Sequence, residues 1–231
     1  MCAALVRDAR LAPALHLLSV WASAYERELV RRSATPGGAT PEPPPRCRPW
    51  WSRRPPERQY GRAVSEPSRV AVVSGAARGI GAATVHRLAK DGWRVVAVDA
   101  CRDDPDVDYP LGTRAELDAV CSPYGGAVLP HEADVRSAAA LEDAVRRAVD
   151  AFGGLDAAVA GAAVMAGGQE AWRETDRTWR VLLDVDLLGV LNLARAAVPA
   201  LLQRPEPRTG RFVAIASVAA ERGLWRLSAY T

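Results

Sequence analysis

A strand pattern, a glycine-rich turn and a helix start follow one another between residues 69 and 81. The apolar β-branched run 70–73 leads into a small-residue turn that carries Gly75, Gly79 and Gly81. Unpaired N–H groups at a helix N-terminus favour an anion such as the pyrophosphate of a dinucleotide. A Cβ at these glycines would hold the backbone away from that ligand and the helix away from the strand. The stretch therefore predicts a phosphate-binding turn, the alternative being an ordinary small-residue turn.

A carboxylate follows the next buried-strand pattern at a distance that suits ribose binding. The run 94–98 ends at Asp99, 24 positions after Gly75. This is close to the spacing of about 20 residues expected for the acid that binds the ribose hydroxyls of NAD. The same carboxylate would repel the 2′-phosphate of NADP, although Arg78 and Arg102 would weaken that repulsion. We therefore expect NAD as the cofactor.

Strand and helix patterns alternate from residue 69 onward, which favours an α/β fold: a Rossmann-type, doubly wound parallel sheet with helices on both faces. Strands are predicted at 70–73, 94–98, 127–130, 156–160 and 211–216, and helices at 79–90, 114–120, 137–152 and 176–203. The first helix pattern places Ile80, Val85 and Leu88 on one side. Core packing is the expectation for Trp172, Trp179 and Trp225, the alternative being that they line or flank the cleft.

The last predicted helix is apolar nearly all round between residues 181 and 202. A helix without a polar face is normally covered on both sides. We therefore predict that the sheet covers one side and another subunit the other, in a homodimer or homotetramer of the full-length protein.

Composition excludes several classes of partner. A net charge of +3 over 231 residues is too small to indicate a nucleic-acid partner. The apolar run 11–25 is too short to span a bilayer, and Asp184, Asp186 and Arg195 argue against a span by the run 181–202. The four cysteines show no paired spacing and suit free thiols in a reducing cytoplasm. The three histidines have no ligand spacing with them, so no metal site is predicted.

Residues 1–68 are predicted to be an N-terminal extension to the domain at 69–231. Residues 4–32 favour helix, whereas the segment 33–68 contains nine of the 17 prolines and many arginines and is predicted to be a disordered linker. Three alternatives stay open for the extension. These are a signal peptide cleaved after Ala24, a natural start near Ser65, and an RNA or membrane contact through Trp50-Trp51.

Taken together, these residues resemble the short-chain dehydrogenase/reductase family over 69–231. The matching elements are the run 74–81, Asp99, Asp134-Val135, Leu155-Asp156, the segment 181–189, Ser217, and Tyr230 thirteen positions later. The resemblance implies hydride transfer between an alcohol or ketone and a nicotinamide cofactor, with Tyr230 as the base and Ser217 holding the substrate oxygen. It also implies cofactor contacts from Gly75, Arg78, Gly79, Ile80, Gly81, Asp99, Asp134, Val135, Ala160 and Gly161.

Three further features are similar to the mycofactocin-associated branch of that family. They are the long loop 99–113 and the segments 155–160 and 193–202. The resemblance implies a loop that holds the nicotinamide cofactor without exchange, and an external redox partner that reoxidises it.

The sequence departs from the family pattern in three places. Asp186 stands where the family usually has an asparagine that supports a proton relay, and residues 160–163 replace the usual Asn-Asn-Ala-Gly turn. The lysine expected at position 234, and the later strands, would lie beyond Thr231. We therefore expect a fragment of an oxidoreductase that at most binds cofactor, with a non-catalytic dinucleotide-binding or regulatory protein as the alternative.

Overall fold

The computed structural model describes residues 68–231. The predicted helix and linker of the N-terminal extension lie outside these described residues. So do the signal peptide, the later start and the Trp50-Trp51 contact.

Five parallel strands form one sheet in the order β3-β2-β1-β4-β5. The strands are β1 (Val70–Ser74), β2 (Arg94–Asp99), β3 (Val128–Glu132), β4 (Ala157–Ala160) and β5 (Arg211–Ala214). Runs of valine and alanine suit strands that are buried on both faces, as in parallel sheets covered by helices. The direction of winding reverses between β1 and β4. The predicted Rossmann-type architecture is therefore confirmed.

Helices cover both faces of the sheet. They are α1 (Gly79–Lys90), α2 (Arg114–Cys121), α3 (Ala138–Phe152), α4 (Asp176–Leu182) and α5 (Gly189–Leu202). Thr113 and Glu116 form a capping box that begins α2, and the Ser137 hydroxyl caps α3. Alternate residues of β1 belong to different cores, Val70 and Val72 to one face and Ala71 and Val73 to the other.

The strand and helix patterns located the elements to within two or three residues, with small differences at their ends. β3 extends to Glu132, and β5 ends at Ala214, two residues before the predicted end. β4 begins at Ala157, one residue after the predicted start, and the carboxylate of Asp156 lies just before it. This carboxylate accepts hydrogen bonds from the Val70 N–H at 2.8 Å and from Arg204 Nη2 at 2.6 Å.

The chain is helical without a break from Asp176 to Leu202, as predicted, but the predicted regular α-helix is interrupted by a wider turn. A π-helical segment, Leu183–Leu188, separates α4 from α5. Its wider turn changes the direction in which the following side chains point. The turn brings Asp186 Oδ1 to 2.8 Å from the Val164 N–H on the loop after β4. A local pattern does not predict such a contact between distant segments.

One face of this α4–α5 region is buried and the opposite face is exposed. Val181, Val185, Leu193 and Ala197 pack in the core, whereas the outer apolar face consists of Leu183, Leu187, Leu188, Leu191, Val198 and Leu202. Within residues 68–231, no helix is long and apolar enough to cross a bilayer.

The prediction that the three tryptophans pack in the core is wrong. Trp172 is 82% exposed and Trp225 is 83% exposed, and Trp179 is exposed as well. Trp172 and Trp225 lie on the segments after β4 and β5, outside both cores. Ile80 does not pack beside the fully buried Val85 but is 58% exposed.

Candidate nucleotide-binding site

A cleft of about 230 Å³ lies at the carboxyl ends of β1 to β4. The loops that follow all four strands line it. Among the predicted cofactor residues, those that line the cleft are Gly75, Arg78, Ile80, Gly81, Asp99, Asp134, Val135 and Gly161. The cleft lies where the strand order reverses, which is the usual ligand position in open α/β sheets.

The glycines of the first turn are required for different reasons. Gly75 has φ +69°, and a Cβ there would lie 2.7 Å from the backbone of Ala162. A Cβ on Gly81 would lie 1.9 Å from the carbonyl oxygen of Gly75. Gly79 has φ +58° but open space around it, so only its backbone conformation favours glycine. Gly79 is exposed and is not among the residues that line the cleft.

The Asp99 carboxylate stands at the tip of β2 and faces the cleft. Its Oδ2 accepts a hydrogen bond from the Ala77 N–H at 3.0 Å, and its Oδ1 accepts one from the Cys101 N–H at 3.1 Å. Each carboxylate oxygen can accept a second bond. The long loop packs directly on this group, since a Cβ on Gly112 would lie 2.8 Å from Asp99 Oδ1. Asp99 is thus held in place with acceptor capacity left for a ligand.

Asp134 forms the opposite wall together with two arginines. Burial alone would raise its pKa, but hydrogen bonds from the Arg136 side chain and backbone and from Arg102 outweigh burial and lower the pKa to about 2. The Arg102 contact measures 2.7 Å, and Arg136 also contacts Asp104 at 2.8 Å. The carboxylate is therefore charged at neutral pH and fixed between two cations.

The Ser74 side chain braces the turn after β4, in which residues 160–163 replace the usual Asn-Asn-Ala-Gly. Its buried hydroxyl accepts hydrogen bonds from Gly161 N–H at 3.1 Å and Ala162 N–H at 3.3 Å. It thereby ties the end of β1 to the turn after β4. Gly161 lines the cleft, but the predicted cofactor residue Ala160 is buried behind it in the core. A polar residue at the end of an otherwise apolar strand was the signal in the sequence.

The three predicted catalytic residues lie on separate segments. Asp186 is in the π segment, and burial raises the pKa of its carboxyl to about 6, although the Val164 N–H opposes this. The Ser217 hydroxyl accepts a bond from the Ala219 N–H at 3.1 Å. Tyr230 lies in a turn closed by its N–H to the Leu227 carbonyl and packs against a core. Within residues 68–231, none of the three lines the cleft and no hydrogen bond joins any two of them.

The long loop between β2 and α2 crosses to the far side of the cleft. Tyr109, a residue that the sequence analysis missed, accepts a hydrogen bond through its hydroxyl from the Met165 N–H at 2.8 Å. Asp106 Oδ1 lies 3.8 Å from Arg177 Nη1 on α4, and Asp104 contacts Arg136. The loop is therefore attached to the segments after both β3 and β4.

The doubly wound sheet, the glycine turn and the acid at the tip of β2 define a dinucleotide-binding α/β domain. The family model of short chain dehydrogenases matches residues 69–231. The chain belongs to the short-chain dehydrogenase family, whose members are oxidoreductases.

Several known proteins are similar to this chain. An uncharacterised oxidoreductase of Mycobacterium tuberculosis is 38% identical over 157 residues, which are 66% of this chain and 54% of the relative. The (−)-trans-carveol dehydrogenase of Rhodococcus erythropolis is 36% identical over 166 residues, 71% of this chain and 59% of the relative. The chain thus spans little more than half the length of these relatives.

Two solved structures share the fold. Carveol dehydrogenase from Mycobacterium avium, in complex with NAD, has a TM-score of 0.66 and 32% identity over 70% of this chain and 59% of that one. A short chain dehydrogenase from Mycobacterium paratuberculosis bound to NAD has a TM-score of 0.65 and 28% identity over 72% of this chain and 62% of that one.

Proposed function

We propose that the protein is an NAD-dependent oxidoreductase that transfers a hydride between an alcohol or ketone and the nicotinamide ring. The observation that carries the proposal is the Asp99 carboxylate, which is held at the tip of β2 and faces the cleft. The turn after β1, on the same cleft, has no Cβ atoms at Gly75 and Gly81. The carboxylate oxygens can accept hydrogen bonds from the two ribose hydroxyls of NAD, whereas they would repel the charged 2′-phosphate of NADP. Relatives whose structures contain NAD support the choice.

The proposed roles of the other residues follow from their chemistry. When bound, the nicotinamide cofactor accepts or supplies the hydride. Ser217 would hold the substrate oxygen and Tyr230 would exchange the hydroxyl proton, with Asp186 supporting that exchange. The turn formed by Gly75, Arg78, Gly79, Ile80 and Gly81 would bind the pyrophosphate. Asp134, Val135 and Gly161 would form the remaining walls, with Ala160 supporting Gly161 from the core. We also propose that residues 69–231 constitute the catalytic domain and 1–68 an extension to it.

Titration with NADH, after any nucleotide retained during purification has been removed, tests the cofactor assignment. We expect wild-type protein to bind NADH and Asp99→Ala to raise the dissociation constant about tenfold or more, because a hydrogen bond to a charged group is worth about 1.5–3 kcal/mol. Fluorescence of the bound nicotinamide measures the affinity. Asp91→Ala is the control, since Asp91 is an exposed residue at the far end of α1. Equal affinities of wild type and Asp99→Ala would contradict the assignment.

We further propose that the protein belongs to the mycofactocin-associated branch, retains its cofactor and relies on an external redox partner. Support comes from the long loop, which Tyr109 and Asp104 attach to both sides of the cleft.

We expect NAD to remain bound through gel filtration of the purified protein. We also expect Tyr109→Phe, which removes the acceptor for the Met165 N–H, to speed its release several-fold. The amount of NAD that stayed bound is measured in the supernatant after the filtered protein is precipitated with acid. Complete loss of NAD from the wild type during filtration would contradict this assignment.

The second candidate is a non-catalytic dinucleotide-binding or regulatory protein. The observation that favours it is the separation of Ser217, Asp186 and Tyr230, none of which lines the cleft among the described residues. Reduction of NAD by the 231-residue chain with a range of alcohols distinguishes the two. Turnover favours the oxidoreductase, whereas binding without turnover favours the alternative.

The outer apolar face of α4 and α5 supports a further part of the proposal. Six exposed leucine and valine side chains there would be covered by a second copy of the chain, in a homodimer or homotetramer. We place the protein in the cytoplasm, where its proposed cofactor is found.

A further inference from the structure

Asn192 is an unusual residue for its position on α5. Among residues 68–231 the buried polar side chains are Ser74, His131 and Asn192. Ser74 holds the turn after β4, as described above. Asn192 is 9% exposed and neighbours the fully buried Leu193 on a helix that is otherwise largely apolar. A buried polar side chain costs free energy unless its hydrogen bonds are satisfied, so its partners indicate its role.

The side-chain amide nitrogen of Asn192 bonds to the loop between β3 and α3. Nδ2 donates to the Val135 carbonyl at 3.0 Å and to the Arg136 carbonyl at 3.3 Å. These carbonyls precede α3, whose first backbone bond runs from the Leu141 N–H to the Ser137 carbonyl. The structure gives neither of them a backbone partner among the described residues. One side-chain amide therefore satisfies two acceptors that the helix cannot satisfy.

Gly189 lies one helical turn before Asn192 and faces the same loop. A Cβ there would lie 2.5 Å from Val135 Cγ2 and 3.0 Å from Val135 Cβ. The absence of that Cβ lets α5 approach the loop closely enough for the Asn192 bonds to form. Val135 is thus fixed through its side chain by Gly189 and through its carbonyl by Asn192.

The loop held in this way is one wall of the cleft. Asp134, Val135 and Arg136 all line it, and Asp134 and Arg136 are joined to each other there. Asn192 itself is not among the lining residues. Its effect on a ligand therefore has to pass through the position of the wall.

We propose that Asn192 is a positioning residue: by binding the Val135 and Arg136 carbonyls it fixes the wall that Asp134, Val135 and Arg136 present to the dinucleotide. The inference rests on the proposed function, since it assigns a determinant of affinity to the same cleft. Without the amide, the wall has to be ordered when the ligand binds, and that ordering weakens the affinity.

Two variants of Asn192 test the proposal in the full chain. Asn192→Ala removes the donor, and Asn192→Asp keeps the shape of the side chain but replaces the donor with an acceptor. The matched control is Leu201→Ala, nine residues further along α5, because it also leaves a cavity at a buried position. Thermal melts followed by circular dichroism identify a temperature at which the wild type, both variants and the control are folded, and the measurements are made there.

The readouts are the dissociation constant for NADH and amide hydrogen exchange of residues 133–138. We expect Asn192→Ala and Asn192→Asp to raise the dissociation constant at least tenfold and to speed exchange of this segment. Leu201→Ala should lower the melting temperature but stay within twofold of the wild type in both readouts. A purely structural role would make the Asn192 and Leu201 variants alike, and this result would overturn the proposal.

The two failures are distinguishable. A wild type that binds NADH, beside Asn192 variants that bind and exchange as it does, overturns the positioning role alone. A wild type that does not bind NADH after removal of any retained nucleotide overturns the proposed function, and the affinity role of Asn192 with it.

Discussion

Replacing Asp186 by asparagine is expected to raise the free energy of unfolding by about 1–2 kcal/mol at pH 8, because solvent screens this partly exposed carboxyl, and to leave it nearly unchanged below pH 4. Burial raises the pKa of this carboxyl from its ordinary value near 4 to about 6 in the folded protein. The folded state thus favours the protonated form. The stability that this preference contributes is fully present below the unfolded pKa and is lost as the pH rises through about 6.

The asparagine variant removes this loss because its side chain is neutral at every pH. Its Oδ1 can still accept the hydrogen bond from the Val164 N–H that Asp186 accepts at 2.8 Å. Urea unfolding of wild type and variant at pH 4, 6 and 8 measures the difference. Asp108→Asn, an exposed substitution on the long loop, should change stability by less than about 0.5 kcal/mol throughout. A pH-independent difference for Asp186→Asn would show that the carboxyl does not titrate near pH 6.

A methyl group at position 81 should be far more damaging than one at position 79. In Gly81→Ala the new Cβ would lie 1.9 Å from the Gly75 carbonyl oxygen and 2.6 Å from its carbon. The helix must then move away from the turn, at a cost of about 3 kcal/mol, the upper end for overpacking. We expect loss of measurable NADH binding together with a clear fall in the melting temperature.

Gly79→Ala is the matched control for this prediction. Gly79 has no atom within 4 Å of its added Cβ, so the variant has to accommodate only φ +58°. A left-handed conformation costs a residue with a Cβ about 1–2 kcal/mol. We therefore expect a smaller loss of stability with NADH binding retained. Similar behaviour of the two variants in thermal melts and NADH titrations would contradict the assignment of Gly81 to close helix–turn packing.

The regular elements and the first half of the site follow from local sequence patterns. The β-branched run before Gly75, the glycine spacing, and the acid after the second strand pattern are all short-range signals, and the structure brings them together at one cleft. Alternation of strands and helices was sufficient for the parallel sheet, because few arrangements bury such strands on both faces. The family pattern at Asp134 likewise marked a residue that lines the cleft.

Tertiary structure alone decided which residues hold that cleft in shape. Ser74 contacts Gly161 across 87 positions, Asn192 contacts Val135 across 57, and Asp186 contacts Val164 across 22. The π segment is part of the same arrangement, since it turns Asp186 toward the loop after β4. Helical periodicity describes only neighbours within a few residues, so it predicted a regular α-helix here and not the π turn within it. Bonds between loops that follow different strands exist only once the sheet has placed those loops side by side.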